Sequence, residues 1–272
     1  MGSTSQLDEL KALHFPFEDP KFIFFTDFDG TITERDSNDY MTDNIGFGTA
    51  ERKQGNKDVL EDKKTFRQSF REMMDSITAP YNECIDLLVK NITLDPGFKE
   101  YFEWSLENKI PTVVVSSGME PIIRAILQNL IGKDADKLDI ISNDVEARPG
   151  KTINEKSGWQ IKFHDDSDFG HDKSLCLRPY STLPKDKRPT MFYAGDGVSD
   201  LSAARETDLL FAKKGHDLIS YCARENVPFT VFGDWTDILR EVKRITAGET
   251  TVEQAAKEGY EQFKKGDAGV SA

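Results

Sequence analysis

Two carboxylates stand two residues apart where an apolar run ends, in the stretch Phe22-Ile23-Phe24-Phe25-Thr26-Asp27-Phe28-Asp29-Gly30-Thr31. Such a pair can supply a nucleophile and a proton donor at the end of one strand. On the period of two that a strand imposes, Asp27 and Asp29 would share a face, but the Asp-Gly step argues for a turn there. Like charges this close raise one another's pKa, and desolvation adds to the cost, so something cationic is expected beside them. An ordinary acidic turn is the competing explanation. Against it, carboxylates that abut a fully buried strand are expensive unless they hold a metal.

Three further segments carry chemistry. In Phe192-Tyr193-Ala194-Gly195-Asp196-Gly197-Val198-Ser199-Asp200 two acids are four residues apart, so at a helix start they project from one face. Oxygen ligands flanked by glycines suit a hard cation, which tolerates one or two carboxylates together with waters. Helix capping accounts for one of these acids and leaves the other, with Gly195 and Gly197, unexplained. Val113-Val114-Val115 runs into Ser116-Ser117-Gly118, a hydroxyl and exposed amides of the kind that bind phosphate oxygens. Finally, Gly170-His171-Asp172-Lys173-Ser174 places a lysine at a helix entry, where it would act as a point charge on a transferring phosphoryl group. Taken singly, the Ser-Gly turn and the lysine are ordinary surface features. Their order along the chain is what gives them weight.

The elements that must position these residues follow from periodicity. Phe22 to Thr26 is the first strand, and Thr33 to Asp43 is a polar stretch. Apolar residues at helical spacing, Phe66, Phe70, Met73, Met74 and Ile77, then Ile85, Leu88, Val89 and Ile92, mark a helical insertion over 38–93. Thereafter strands are predicted at Ile110 to Val115, Leu138 to Ser142, Thr190 to Ala194, Leu209 to Ala212 and Phe229 to Phe232. Between them fall helices ending at Asn108, at Ile122 to Ile131, from Asp172, and at Leu201 to Glu206, His216 to Glu225 and Trp235 to Ile245. Val145 to Phe163 reads as a short polar hairpin. This alternation predicts an α/β fold, a doubly wound parallel sheet whose ligands bind at the carboxyl ends of strands. The expected organisation is an α/β core over 18–37 and 94–246, a helical cap over 38–93, and tails at 1–17 and 247–272 that are flexible or partly helical, with a helix around Val252 to Phe263 and disorder beyond it.

The series of acid pair, Ser-rich turn, lysine and Gly-Asp-Gly with a second Asp resembles the four motifs of the haloacid dehalogenase (HAD) superfamily of phosphatases, across about residues 20 to 245. The helical insertion after the first motif resembles that of members with a helical cap, and Ser116 to Gly118 with Gly195 to Asp200 resembles the phosphoserine phosphatase branch. Stretches such as Asp36-Ser37-Asn38-Asp39, Val115 to Met119, Phe169 to Lys173 and Gly195 to Asp200 are similar to small cytosolic fungal phosphatases that hydrolyse polyol phosphates. The resemblance implies a Rossmann-like core and a set of roles. Asp27 would attack phosphorus and form an aspartyl phosphate, and Asp29 would protonate the leaving alcohol and then activate water. The carboxylates of Asp27 and Asp196 and the main-chain carbonyl of Asp29 would ligate Mg2+, with Asp200 binding the cation or a water on it. Ser116, the amide of Ser117 and Lys173 would hold the phosphoryl oxygens. Asp36 stands where phosphoserine phosphatases carry a substrate-contacting Glu, and the change to Asp speaks against an amino-acid substrate. Arg67 and Arg71, four apart on a cap helix, are candidates for the far end of a substrate. His164 and His171 read as structural.

Composition sets the outer limits. A net charge of -13 over 272 residues argues against nucleic acid or an anionic membrane as partner. It also asks for a divalent cation if the substrate is a phosphate. No apolar run reaches bilayer length, the first residues lack the apolar stretch of a secretory signal, and the three cysteines are odd in number and widely spaced. A cytoplasmic enzyme acting on a small-molecule phosphate ester is the expectation, with a polyol or sugar phosphate as its substrate. The alternatives are phosphoserine, phosphocholine or phosphoethanolamine, a methionine-salvage intermediate, phosphoryl transfer by a mutase, and, from another class, a phospho-accepting receiver-like domain. Asp29 weighs against the receiver, because a switch has no need of a base two residues from its phosphorylated Asp.

Overall fold

The apolar run that ends at Asp27 forms strand β1, Phe22–Thr26, buried from Ile23 onward. The structure, a computed structural model, describes residues 20–270, so the tail expected at 1–17 lies outside the described residues. The helices that follow β1 are α1 (Ser37–Ile45), α2 (Thr49–Leu60), α3 (Phe66–Asp75), α4 (Tyr81–Asn91) and α5 (Phe98–Glu107). After them come β2 (Thr112–Met119), α6 (Glu120–Ile131), β3 (Asp139–Ala147), β4 (Trp159–Lys162), α7 (Lys173–Ser181) and β5 (Thr190–Gly195). The chain closes with α8 (Leu201–Ala204), β6 (Leu209–Lys213), α9 (Leu218–Glu225), β7 (Phe229–Phe232), α10 (Trp235–Thr246) and α11 (Val252–Lys264). The strands are ordered β4-β3-β2-β1-β5-β6-β7 in a seven-stranded sheet, the doubly wound α/β architecture that the alternation predicts.

Two compact units divide the chain. One holds the segment ending at Asp27, then Asp95–Val115, and everything from Lys173 onward. Here β1 pairs in parallel with β2 on one side and with β5 on the other, in registers such as Phe24↔Thr112 and Phe24↔Phe192. The order of strands therefore reverses at β1, which makes its carboxyl end a topological switch point, the place where open α/β sheets bind ligands. An aromatic cluster fixes this strand. The Phe24 ring lies 5.0 Å from Tyr101, 5.5 Å from Trp235 and 5.6 Å from Phe211. Burial of each such ring contributes about 1.5–3 kcal/mol, so the strand that leads into Asp27 is firmly anchored. At the far edge, α11 lies against β7, close enough that a Cβ on Gly259 would come within 2.3 Å of the Phe229 carbonyl oxygen. Beyond Lys264, where disorder is expected, the chain is held: Ala268 is buried and its carbonyl accepts a hydrogen bond from the Gly215 amide at 2.9 Å.

The other unit comprises Phe28–Leu94 and Ser116–Asp172. Helix α1 begins inside the stretch expected to be merely polar, because Asp36 caps it, accepting from the amides of Asn38 and Asp39 at 2.8 Å each. The apolar stripe of α3 buries Phe70, Met73 and Met74, and α4 buries Tyr81, Cys84 and Leu88. Strand β3 runs five residues past the expected Ser142 and pairs antiparallel with β4, from Asp144↔Lys162 to Ala147↔Trp159. Trp159 anchors that hairpin, its ring edge-on to Tyr81 at 5.4 Å and its Nε1 donating to the Ala79 carbonyl at 3.0 Å.

Candidate active site

At the carboxyl end of β1, the Asp27 amide donates to the Ala194 carbonyl of β5 at 2.8 Å, which ties the first acidic motif to the strand carrying the other. Lys173, the first residue of α7, is 1% exposed and sets its ammonium between two carboxylates, 2.9 Å from Asp27 Oδ2 and 2.7 Å from Asp200 Oδ1. Asp200 is itself fully buried and accepts on both oxygens. Oδ1 receives Lys173 and the Tyr193 hydroxyl at 2.7 Å each, and Oδ2 receives the amides of Asp196 and Gly197 at 3.1 Å each. Gly195 is required here, since a Cβ on it would lie 2.5 Å from Asp200 Oδ2. Asp196 is half-buried and meets His216 Nδ1 at 3.3 Å.

Oxygens of Asp27, Asp196 and Asp200 lie within 4.8 Å of one another. Burial pushes the Asp27 carboxyl well above the usual carboxylate range, Asp200 and Asp196 push it further, and Lys173 opposes them. Burial lowers the Lys173 pKa, but Asp200 and Asp27 outweigh it and raise the ammonium above its ordinary value. Three acids against one lysine leave an excess of negative charge in a dry place, with all three donors hard oxygens. This donor set fits Mg2+.

The second unit builds around Asp29. Its Oδ1 accepts from the Ser37 amide at 2.7 Å and its Oδ2 from Asn38 Nδ2 at 2.8 Å, both at the start of α1. Burial, followed by the charge of Asp36, raises its pKa well above the usual value, while the Ser37 contacts lower it. Around it the turn is tight: the Ile32 amide donates to the Phe28 carbonyl at 2.9 Å, and Gly30 takes φ 74°. Gly118 leaves room for this carboxylate, because a Cβ there would lie 3.1 Å from Asp29 Oδ2 and 3.3 Å from Ser116 Oγ. Ser116 is buried, with its Oγ accepting from the Gly118 amide at 3.0 Å and its carbonyl accepting from His171 Nδ1 at 2.7 Å. The Ser117 carbonyl accepts from Asn143 Nδ2 at 2.6 Å.

The structure thus brings Asp27, Lys173, Asp196 and Asp200 together in one unit, and Asp29, Ser116 and Gly118 in the other. Asp36 serves as a helix cap. Arg67 stacks over Phe163 at 4.4 Å and donates to the carbonyls of Asp165 and Ser167, while Arg71 sits over the same ring at 4.8 Å. Tyr193, Asn38 and Asn143 are contacts that the motif reading gave no role. Asn38 lies inside the quoted Asp36-Ser37-Asn38-Asp39 stretch, where an amide two residues past a cap was the available signal.

Comparison with known proteins shows the family and the fold. A family profile described as haloacid dehalogenase-like hydrolase matches residues 24–205. The polyol phosphate phosphatase PYP1 of Saccharomyces cerevisiae is 52% identical over 239 residues, covering 85% of this chain and 97% of that protein. Pdp3-interacting factor 1 of Schizosaccharomyces pombe is 50% identical over 222 residues, covering 81% and 94%. In fold, the chain is similar to a phospho-aspartyl intermediate analogue of phosphoserine phosphatase, with a TM-score of 0.60 at 19% identity, covering 82% of this chain and 99% of that one.

Proposed function

The chain belongs to the haloacid dehalogenase-like hydrolase family, and we propose from that premise that it hydrolyses a small polyol or sugar phosphate through an aspartyl phosphate on Asp27. The observation that carries this reading is the buried lysine shared by Asp27 and Asp200 at the carboxyl end of β1. The lysine aims the Asp27 carboxylate and offsets part of the cost of ionising it, and positioning with charge neutralisation is what phosphoryl transfer asks of a protein more than elaborate proton chemistry.

An oxygen of Asp27 attacks phosphorus as the ester P–O bond breaks, and Asp29 gives its proton to the departing alkoxide. Asp29, now a carboxylate, takes a proton from water. The water oxygen attacks phosphorus, the bond to Asp27 breaks, and inorganic phosphate leaves. Its raised pKa suits Asp29 to the first of these tasks, because a protonated acid is what the alkoxide needs. Ser116, the Ser117 amide and Lys173 are assigned to the phosphoryl oxygens. Members of the family generally use Mg2+. In this chain Asp27 and Asp196, with the main-chain carbonyl of Asp29, are the groups to hold it, and Asp200 supports them. Bound there, the ion would neutralise the charge of the phosphoryl group.

We assign residues 38–93 as a substrate-selecting cap and 18–37 with 94–246 as the catalytic core. In that scheme Asp36 and Arg67 tune specificity only indirectly, through the helix start and the Phe163 stack that they hold. The name of the 52% identical relative supports the polyol phosphate substrate. No helix among the described residues is long and apolar enough to cross a membrane, and the three free thiols, two of them buried, support a cytoplasmic setting.

A phosphate-release screen over polyol, sugar, amino-acid and choline-type phosphate esters should rank polyol or sugar phosphates first in kcat/KM. Phosphoserine or phosphocholine at the head of the ranking would overturn the substrate. Chelation should stop turnover and added Mg2+ should restore it, whereas a rate indifferent to chelator would remove the metal from the scheme.

A further inference from the structure

We propose that Tyr193 is a positioning residue whose hydroxyl competes with Lys173 for one oxygen of Asp200 and so leaves the lysine available to the phosphoryl group. Tyr193 lies in the middle of β5, is fully buried, and spends its only proton on Asp200 Oδ1 at 2.7 Å. The Lys173 ammonium meets the same oxygen at the same distance. A carboxylate oxygen offers two lone pairs, so the two donors fill Oδ1, and the amides of Asp196 and Gly197 fill Oδ2. Asp200 thus meets four donors of its own unit, the lysine among them.

The consequence falls on Lys173. Its ammonium has three donors, of which one goes to Asp27 Oδ2 at 2.9 Å and one to Asp200. With Tyr193 on the second lone pair of Oδ1, Asp200 holds the lysine by one bond and spends part of its charge on the hydroxyl. Without the hydroxyl, the vacated lone pair and the undiluted charge of Asp200 would draw the ammonium toward the β5 side, away from Asp27 and whatever is bonded to it. A tyrosine present only to fill the core would have no such reach, since phenylalanine packs the same volume. The neighbouring Phe192 and Met191 show that β5 accepts purely apolar residues in its buried positions.

This inference rests on the assignment of Lys173 to the phosphoryl oxygens, and the experiment separates the two. Dissociation constants of inorganic phosphate and of Mg2+ are measured by titration calorimetry on the full chain, for the wild type, Tyr193→Phe and Lys173→Gln. Tyr193→Phe should weaken phosphate binding about tenfold, the weight of one hydrogen bond to a charged group. Its Mg2+ affinity should change by less than about twofold, and KM should rise more than kcat falls. Unchanged phosphate affinity in Tyr193→Phe, alongside a loss in Lys173→Gln, would overturn the role of Tyr193 alone. Unchanged affinity in both would overturn the assignment of Lys173 and the inference with it. A parallel loss of Mg2+ and phosphate affinity in Tyr193→Phe would also overturn it, by showing that the hydroxyl holds the Asp196 turn instead of releasing the lysine.

Discussion

Asp27→Asn should lower phosphate release by more than about 10⁴-fold and, in metal-free protein at neutral pH, raise the melting temperature. The first effect follows from chemistry, because an amide oxygen does not form the acyl phosphate through which the reaction runs. The second follows from the surroundings of the carboxylate. Burial first, then Asp200 and Asp196, lifts the Asp27 pKa well above its ordinary 3.8, with Lys173 only partly offsetting them. An acid whose pKa is higher folded than unfolded adds stability below its unfolded pKa and loses it as pH rises through the folded one, so at neutral pH the ionised group strains the fold. Asparagine keeps the shape without the charge, and Lys173 keeps Asp200 as its partner. Thermal unfolding after chelation should show a gain of about 2–4 °C for each kcal/mol relieved, shrinking as pH falls toward 4. Retained turnover would remove Asp27 as nucleophile. A lower melting temperature would mean that the bond to Lys173 outweighs the desolvation.

Asp29→Asn should split the reaction in two. On an alkyl phosphate the loss should be about 10²–10⁴-fold, since the alkoxide then leaves without a proton. On p-nitrophenyl phosphate, whose leaving group needs none, the first step should survive and the second should stall for want of a base. The readout is a burst of about one equivalent of nitrophenol followed by slow turnover, with a phosphoryl adduct visible in the intact mass. Equal losses on both substrates, with no burst, would show that Asp29 acts on something other than the leaving group and the water.

The strand ends were readable because a parallel sheet writes its buried strands as short apolar runs and its site as the polar residues directly after them. Phe22–Thr26 and Phe229–Phe232 match the expected strands residue for residue, and Lys173 opens a helix where the motif order placed it. The surroundings of Asp29 were not readable. Two adjacent acids ask for a cation, and the salt bridge to Lys173 falls on Asp27, whereas Asp29 is met by a main-chain amide and an asparagine. Those donors stand at the start of a helix whose first turn, Ser37-Asn38-Asp39, has no apolar period to announce it. Tyr193 was hidden for the opposite reason. In a buried strand it reads as core, and only the fold brings Asp200 to its hydroxyl. Strand β3 runs past its expected end at Ser142 straight into the first arm of the hairpin read over Val145 to Phe163, so the strand and the hairpin expected as two elements are one continuous strand paired with β4.

The close approach of Gly259 to β7 has a consequence for solubility. The carbonyls of Pro228, just before β7, and of Phe232, at its end, turn inward to bond the amides of Leu210 and Lys214, so the alternation of a strand turns the Phe229 carbonyl outward. That is the open border of the sheet, where unpaired main-chain groups invite another chain to add a strand. Helix α11 lies on that border, and it comes so near only because residue 259 has no side chain. Helix α11 thus covers a border at which a second chain could otherwise add a strand.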